Sequence, residues 1–283
     1  MSRAHPLARA LAAGLSLLAA VGCDPEEEGC LDYRALAIDV TADVACDACC
    51  NYPALALQVT PARYFGDSTA RLDRGDALVA GADTLADVAL AFFLSDLAIE
   101  RADGSLYALS DTLTVVGLTA GEGAERLEPS LALLEPYRTS GYRVGVVLEP
   151  LEAVALRATF GLPAALAGVT PDLQGEGSPL FGDRDSLLLP VGGGLLPGGL
   201  GAVVSPGPDT VSAAVVGSGG ALRWAFAEPV EVGRGFDLAV SLALPLDGLA
   251  LLRGELAAGQ VSAERFVEVA LAPARVVDAA ASR

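Results

Sequence analysis

Residues 87–111 read DVALAFFLSDLAIERADGSLYALSD, and the spacing of their apolar side chains decides the fold. Val88, Leu90, Phe92 and Leu94 alternate, which puts them on one face of an extended strand, since successive strand side chains point to opposite faces. The alternation resumes one residue out of step at Leu97 and Ile99. That slip predicts a β-bulge at Ser95–Asp96, where one extra residue returns the apolar set to its face. Asp103–Gly104 then offer a tight turn and Leu106 to Leu109 return, so a hairpin is expected.

The same period of two recurs on either side. ALALQVTP (54–61) alternates Leu55, Leu57 and Val59, and AVALRATFGLP (153–163) alternates Val154, Leu156, Ala158, Phe160 and Leu162. FDLAVSLALP (236–245) does so with Phe236, Leu238, Val240, Leu242 and Leu244. With 17 Pro and 32 Gly to punctuate the connections, these read as half-buried strands of an all-β, antiparallel β-sandwich. PLDGLALLRGELAAG (245–259) spaces Leu249, Leu252 and Leu256 as a short C-terminal helix would, with Asp247 as N-cap and Gly259 beyond its end. PVGGGLLPGGLGAVVSPGP (190–208) reads as an irregular loop. The sandwich is assigned to residues 54–272 and a C-terminal tail to 273–283.

The chain opens MSRAHPLARALAAGLSLLAAVGC, with Arg3 and Arg9 before an apolar run from Ala10 to Val21 that only Gly14 and Ser16 interrupt. Charge and length make residues 1–22 a secretory signal, too short to span a bilayer. LAAVGC resembles the lipobox of bacterial lipoproteins, which implies that Cys23 is acylated and becomes the first mature residue. Acyl chains hold a protein to a membrane at ~0.8 kcal/mol per buried CH₂. Asp24 resembles an inner-membrane retention signal in enterobacteria, a rule that does not carry across lineages. The expected location is extracytoplasmic and lipid-anchored, at the outer membrane or cell surface.

Residues 23–53 read as an acidic, cysteine-rich tether that ends where Pro53 stops regular structure. With Cys23 lipidated, Cys30, Cys46, Cys49 and Cys50 remain, an even number that points to disulfides in an exported chain. Pairing adjacent Cys49 and Cys50 would need a strained ring. The expectation is therefore Cys30 with Cys49 or Cys50, and Cys46 with the partner left over. A thiolate metal site at Cys46-x-x-Cys49 is the competing reading. It lacks a second such pair or a histidine, so no metal is assigned.

Hydrophobic residues are 52% of the 283-residue chain, enough for a substantial core. All 18 basic residues are Arg, a bias that looks like a GC-rich genome. Without Arg3 and Arg9, the mature chain carries 16 basic against 36 acidic residues. A charge near −20 opposes phosphate backbones, so nucleic acid is excluded as a partner. Its only histidine, His5, lies in the leader, so the mature chain can build neither a Ser-His-Asp site nor a His-ligated metal centre. Gly182 to Ser186, GDRDS, falls short of a calcium loop and reads as a charged turn. Catalytic residues and cofactors are assigned as none.

The segment order after Pro53 resembles the MbnP-like family, exported partner proteins of di-heme MauG/peroxidase-type enzymes. The opening strand LALQVTP, FFLSDLAIERADG (Phe92 to Gly104), VALRATFGLP (Val154 to Pro163) and GFDLAVSLALPLDGL carry the likeness, over roughly residues 54–252. The resemblance implies a sandwich fold and a di-heme peroxidase-type partner. Family members associated with copper and an oxidised tryptophan carry a W-x-W segment and histidines, which this chain lacks; its sole tryptophan, Trp224, lies elsewhere. No metal or modified residue is carried over. The expected function is a non-catalytic, membrane-anchored binding or partner module. The alternative is a cell-surface carbohydrate-binding or adhesion sandwich; Trp224 itself reads as core or rim packing rather than as a sugar platform, because a large aromatic commonly serves as core.

Overall fold

A computed structural model of the chain describes residues 26–282, apart from 112, 117–122, 129, 138–140, 167–168, 170–173, 175–177, 179, 181–195, 197, 206–209 and 217–218. Two compact units divide between Asn51 and Tyr52. In the first, β1 (Glu28–Gly29) and β2 (Val44–Ala45) pair in parallel, followed by a 3₁₀ turn over Asp47–Cys49.

The second unit is built almost entirely of strands: β3 (Leu55–Phe65), β4 (Ser68–Arg71), β5 (Leu78–Ala80), β6 (Asp83–Arg101), β7 (Leu106–Ala108), β8 (Leu113–Val116) and β9 (Ala124–Leu127). There follow β10 (Leu131–Leu134), β11 (Tyr142–Val144), β12 (Leu151–Phe160), β13 (Gly198–Ser205), β14 (Thr210–Val216), β15 (Ala221–Val232) and β16 (Asp237–Pro245). A 3₁₀ turn (Leu246–Leu252) runs into α1 (Arg253–Ala257), then come β17 (Gln260–Ser262), α2 (Ala263–Phe266) with a π turn, and β18 (Arg275–Ser282). The fold is all-β with a short helical segment near the C-terminus, as the alternation predicts.

Among the described residues one sheet has the order β15-β12-β6-β13-β14-β17, and a second has β11-β3-β16-β18. Most pairs are antiparallel, but β3 and β16, central in the second sheet, run parallel. The sheets face each other across one core, in which Leu55, Leu57, Leu238 and Val240 meet Leu90, Phe92, Leu156 and Phe160. Phe92, Phe160 and Phe266 lie with ring centroids 5.2–6.3 Å apart, within the range where aromatic rings attract one another. β3 runs on through Pro61. Its carbonyl accepts from the Leu72 N–H at 2.9 Å, a bond that proline, lacking an N–H, cannot return.

β6 organises the first sheet. One of its edges is taken in succession by β13 and β12, the other by β5, β10 and β7. Asp96 has φ 51°, and two residue steps on β12 (Arg157 to Thr159) match three on β6 (Ala98 to Ser95), which is the expected bulge. The Leu97 N–H there donates to the buried Ser130 Oγ at 2.7 Å. A second bulge sits at Asp87, with φ 47° and the same two-against-three count opposite β13. Both have the same spelling, Leu85-Ala-Asp87-Val88 and Leu94-Ser-Asp96-Leu97. A short polar side chain tolerates the left-handed region, and the apolar residues at either end both stay inward.

Three expectations need correction. β6 is half-buried only in part: residues 90–95 are buried on both faces, because Val115, Leu133, Leu166 and Leu180 form a second cluster over Ala91 and Phe93. The glycine-rich stretch expected to be a loop contains β13. A Cβ on Gly198 would meet Phe92 Cβ at 3.1 Å and Phe160 Cζ at 3.3 Å, so glycine lets this strand lie against the aromatic core. The expected C-terminal tail is β18, paired with β16 from Asp237↔Ser282 to Ala243↔Arg275. In addition, Asp247 does not cap the helical segment; its carboxylate accepts from Arg63 at 2.7 and 2.8 Å and from the Val79 N–H at 3.1 Å.

Gly219 is packed more tightly still, since a Cβ there would lie 1.9 Å from the Phe160 carbonyl oxygen. Gly219→Ala should cost about 1–3 kcal/mol of unfolding free energy, because backbone cannot yield cheaply. Gly75→Ala, where nothing lies within 4 Å, should stay within about 0.5 kcal/mol of wild type. Denaturant titration of both variants checks this; equal stability would contradict the close approach.

Candidate functional site

Four of the five sequence-predicted site residues lie in the first unit. Cys30 is bonded to Cys50 and Cys46 to Cys49, one of the two pairings the sequence allows. All four thiols are thus consumed, and the disulfides belong to an oxidising, extracytoplasmic compartment. Among the described residues no group of three or more His, Cys, Asp or Glu could hold a metal ion, and no helix is long and apolar enough to cross a membrane. Cys23, the leader and Gly182 to Ser186 lie outside the described residues.

Trp224 is 3% exposed, and its Nε1–H donates to the Leu271 carbonyl at 3.1 Å. It anchors β15 to the turn before β18 and offers no face to a sugar. This is the packing role expected of Trp224: alternation along β15 sends Leu222 and Trp224 inward, where a large ring and its one donor are both satisfied.

Among the described residues of the second unit, a cleft of about 550 Å³ is lined by Pro150, Leu151, Glu152, Glu231, Val232, Gly233, Phe236 and Ala281. It lies where the starts of β12 and β16 meet the ends of β15 and β18, so it is walled by edges of both sheets. Strand register sets its chemistry. Leu151 pairs with Val232 and Glu152 with Glu231. Leu151 and Val232 are buried and supply an apolar floor, while the glutamates, one position along, are exposed. Like charges directly opposite on neighbouring strands repel. Neither glutamate has an ion-pair partner among the described residues. A ligand combining a hydrocarbon body with a positive charge would cover the floor and relieve that repulsion. Periodicity marks Leu151 and the glutamates as alternating, but nothing in the sequence says that residues 152 and 231 are neighbours.

Two polar constellations shape the surface around the cleft. On the outer face of the first sheet Glu100 lies between two arginines from successive strands. Arg223 donates to both its oxygens at 2.9 Å, and Arg157 Nε donates at 2.6 Å. Arg223 first, then Arg157, hold the Glu100 carboxyl down at about 2 from its ordinary 4.5. On the second sheet the buried Asp237 carboxylate accepts from the Ala54 N–H at 2.8 Å and from Arg143, which also donates to the Tyr52 carbonyl at 3.2 Å. That bond fixes the start of β3 against β16 beside the cleft residue Phe236. Both constellations escaped sequence reading, because each joins residues more than 50 positions apart.

Comparison with protein-family models, with curated proteins and with solved structures found no match to this chain.

The Glu100 carboxyl is lowered in the folded state, so its contribution to stability is full above the unfolded pKa near 4.5 and is lost as pH falls towards 2. Acid titrations of unfolding free energy should therefore fall less steeply between pH 4.5 and 2 for Glu100→Gln than for wild type. Parallel curves over that window would show that the two arginines do not favour the charged form.

Proposed function

We propose that this chain is an exported lipoprotein, held at the outer membrane or cell surface through acyl chains on Cys23, whose β-sandwich is a non-catalytic binding or partner module. The observation that carries the reading is the pair of disulfides Cys30–Cys50 and Cys46–Cys49, which follow directly on a secretory run ending in the lipobox-like LAAVGC. A short oxidised unit between an anchor and a sandwich suits a domain displayed outside the cytoplasm. The cleft at residues 150–152, 231–233, 236 and 281 is the binding feature of that module, and its floor and paired glutamates favour an apolar, positively charged group.

The MbnP-like resemblance adds a partner class, a di-heme peroxidase-type enzyme. Two of the segments that carry the resemblance, Phe92 to Gly104 and Val154 to Pro163, fall largely on the neighbouring strands β6 and β12, which supports treating them as one unit of recognition. Co-purification of a haem protein with the full chain from its own host is the test of that partner; recovery of no haem under mild extraction speaks against it.

Cys23→Ser should yield an unacylated protein that leaves the membrane fraction, read by fractionation and intact mass. Membrane association equal to wild type overturns the anchor.

For the cleft, dodecyltrimethylammonium should bind the protein below its micellar concentration, and dodecyl sulfate should bind more weakly. The double variant Glu152→Gln/Glu231→Gln should weaken the cation about two- to thirty-fold, from two exposed charge contacts at ~0.2–1 kcal/mol each. Calorimetry giving the same affinity for both proteins removes the glutamates from the reading.

A further inference from the structure

The two disulfides of the first unit differ in what they hold. Cys30–Cys50 closes a separation of 20 residues, and Cys30 is 5% exposed. The chain it encloses is tied by backbone bonds from Asp39 N–H to the Cys30 carbonyl at 2.8 Å and from Cys46 N–H to the Gly29 carbonyl at 2.9 Å. The Leu36 N–H donates to the Asn51 carbonyl at 2.8 Å, just beyond Cys50. Cys46–Cys49 closes a separation of three, inside a turn that its own backbone already holds, with the Cys49 N–H donating to the Cys46 carbonyl at 3.0 Å. Cys49 is exposed and Cys46 half-buried, whereas Cys50 is half-buried and Cys30 covered, so the Cys46–Cys49 bond is the more open of the two to an incoming thiolate.

A disulfide stabilises a fold chiefly by restricting the unfolded chain, and more so the longer the loop it closes. Opening Cys46–Cys49 therefore gives up little, and the 3₁₀ turn keeps its two sulfurs close for reclosure. Opening Cys30–Cys50 releases the whole unit. Cys-x-x-Cys spacing with an accessible sulfur is the arrangement that supports thiol–disulfide exchange.

We infer that Cys46–Cys49 is an exchange-active disulfide that takes two electrons from an external dithiol, while Cys30–Cys50 stays closed as the unit's structural staple. A thiolate of the dithiol attacks the Cys49 sulfur, forming a mixed disulfide and releasing the Cys46 thiolate. The second thiol of the dithiol, as thiolate, then attacks its partner sulfur in the mixed disulfide and releases the Cys49 thiolate. Cys46 and Cys49 end as thiols, carrying the two protons and two electrons of the dithiol, which ends as a disulfide. An oxidised partner of the same class reverses the steps. This inference does not depend on the lipid anchor or on the cleft.

The test is a titration of the native full chain with dithiothreitol, quenched by alkylation and read by peptide mass spectrometry with fragmentation to separate Cys49 from Cys50. Cys46 and Cys49 should become labelled at about ten-fold lower reductant than Cys30 and Cys50, and reoxidation should restore the original pairing. Cys30 and Cys50 opening at the same or lower reductant overturns the assignment of roles. So does a Cys46→Ser/Cys49→Ser variant that loses the Cys30–Cys50 bond, because the staple would then depend on the pair argued to be dispensable.

Discussion

Everything in the second unit depends on keeping one face of β6 in register with the core over 19 residues. A slip of one residue would turn Leu90, Phe92 and Leu94 to the opposite face and bring Ala91 and Phe93 in. Because β6 is bonded along both edges, it cannot correct such a slip by sliding. The correction is made within the strand, by an aspartate at positive φ at each of two bulges. At the Asp96 bulge the Leu97 N–H is taken by Ser130, so this donor is not left unpaired.

Burial of β6 on both faces has a consequence for the rest of the sheet. A strand covered on both sides needs neighbours that approach closely, and β13 does so through Gly198 while Phe160 and Phe266 fill the space beside Phe92. The outer face of β12 and β15 carries no such cover and is set with charge, including the Arg223–Glu100–Arg157 row and the Glu152–Glu231 pair. In the row the single carboxylate is paired with two arginines. The glutamate pair lies beside an apolar floor where the two sheets part. A carboxylate held by two cations thus contrasts with two exposed carboxylates that no cation holds among the described residues.

The first unit follows a different rule. It has two-residue strands and few buried apolar side chains, so it cannot rest on a core of its own, and covalent closure takes over that role. Closure of the long loop constrains the unit, whereas closure of the short one constrains a turn that already exists. The same chemical bond therefore has different consequences at two places within 21 residues.

Local pattern alone determined the strands at 54–61, 87–101, 153–160 and 236–245, the bulge at Asp96, the hairpin at Asp103–Gly104 and the oxidised state of four cysteines. These are legible because period, turn chemistry and cysteine count act between near neighbours. The Asp87 bulge shares the spelling of the one at Asp96 and was equally open to reading. Tertiary structure decided the rest. GGLGAVVS becomes a strand because Gly198 lets it lie close to Phe92 and Phe160, and RVVDAAAS becomes one because the edge of β16 is open to it. The Trp224 N–H is paired only because Leu271, 47 residues on, offers its carbonyl there. The cleft exists only where Leu151 meets Val232 across a strand pair. Each of these outcomes depends on which distant residues the fold brings together, a quantity that no window of the sequence contains.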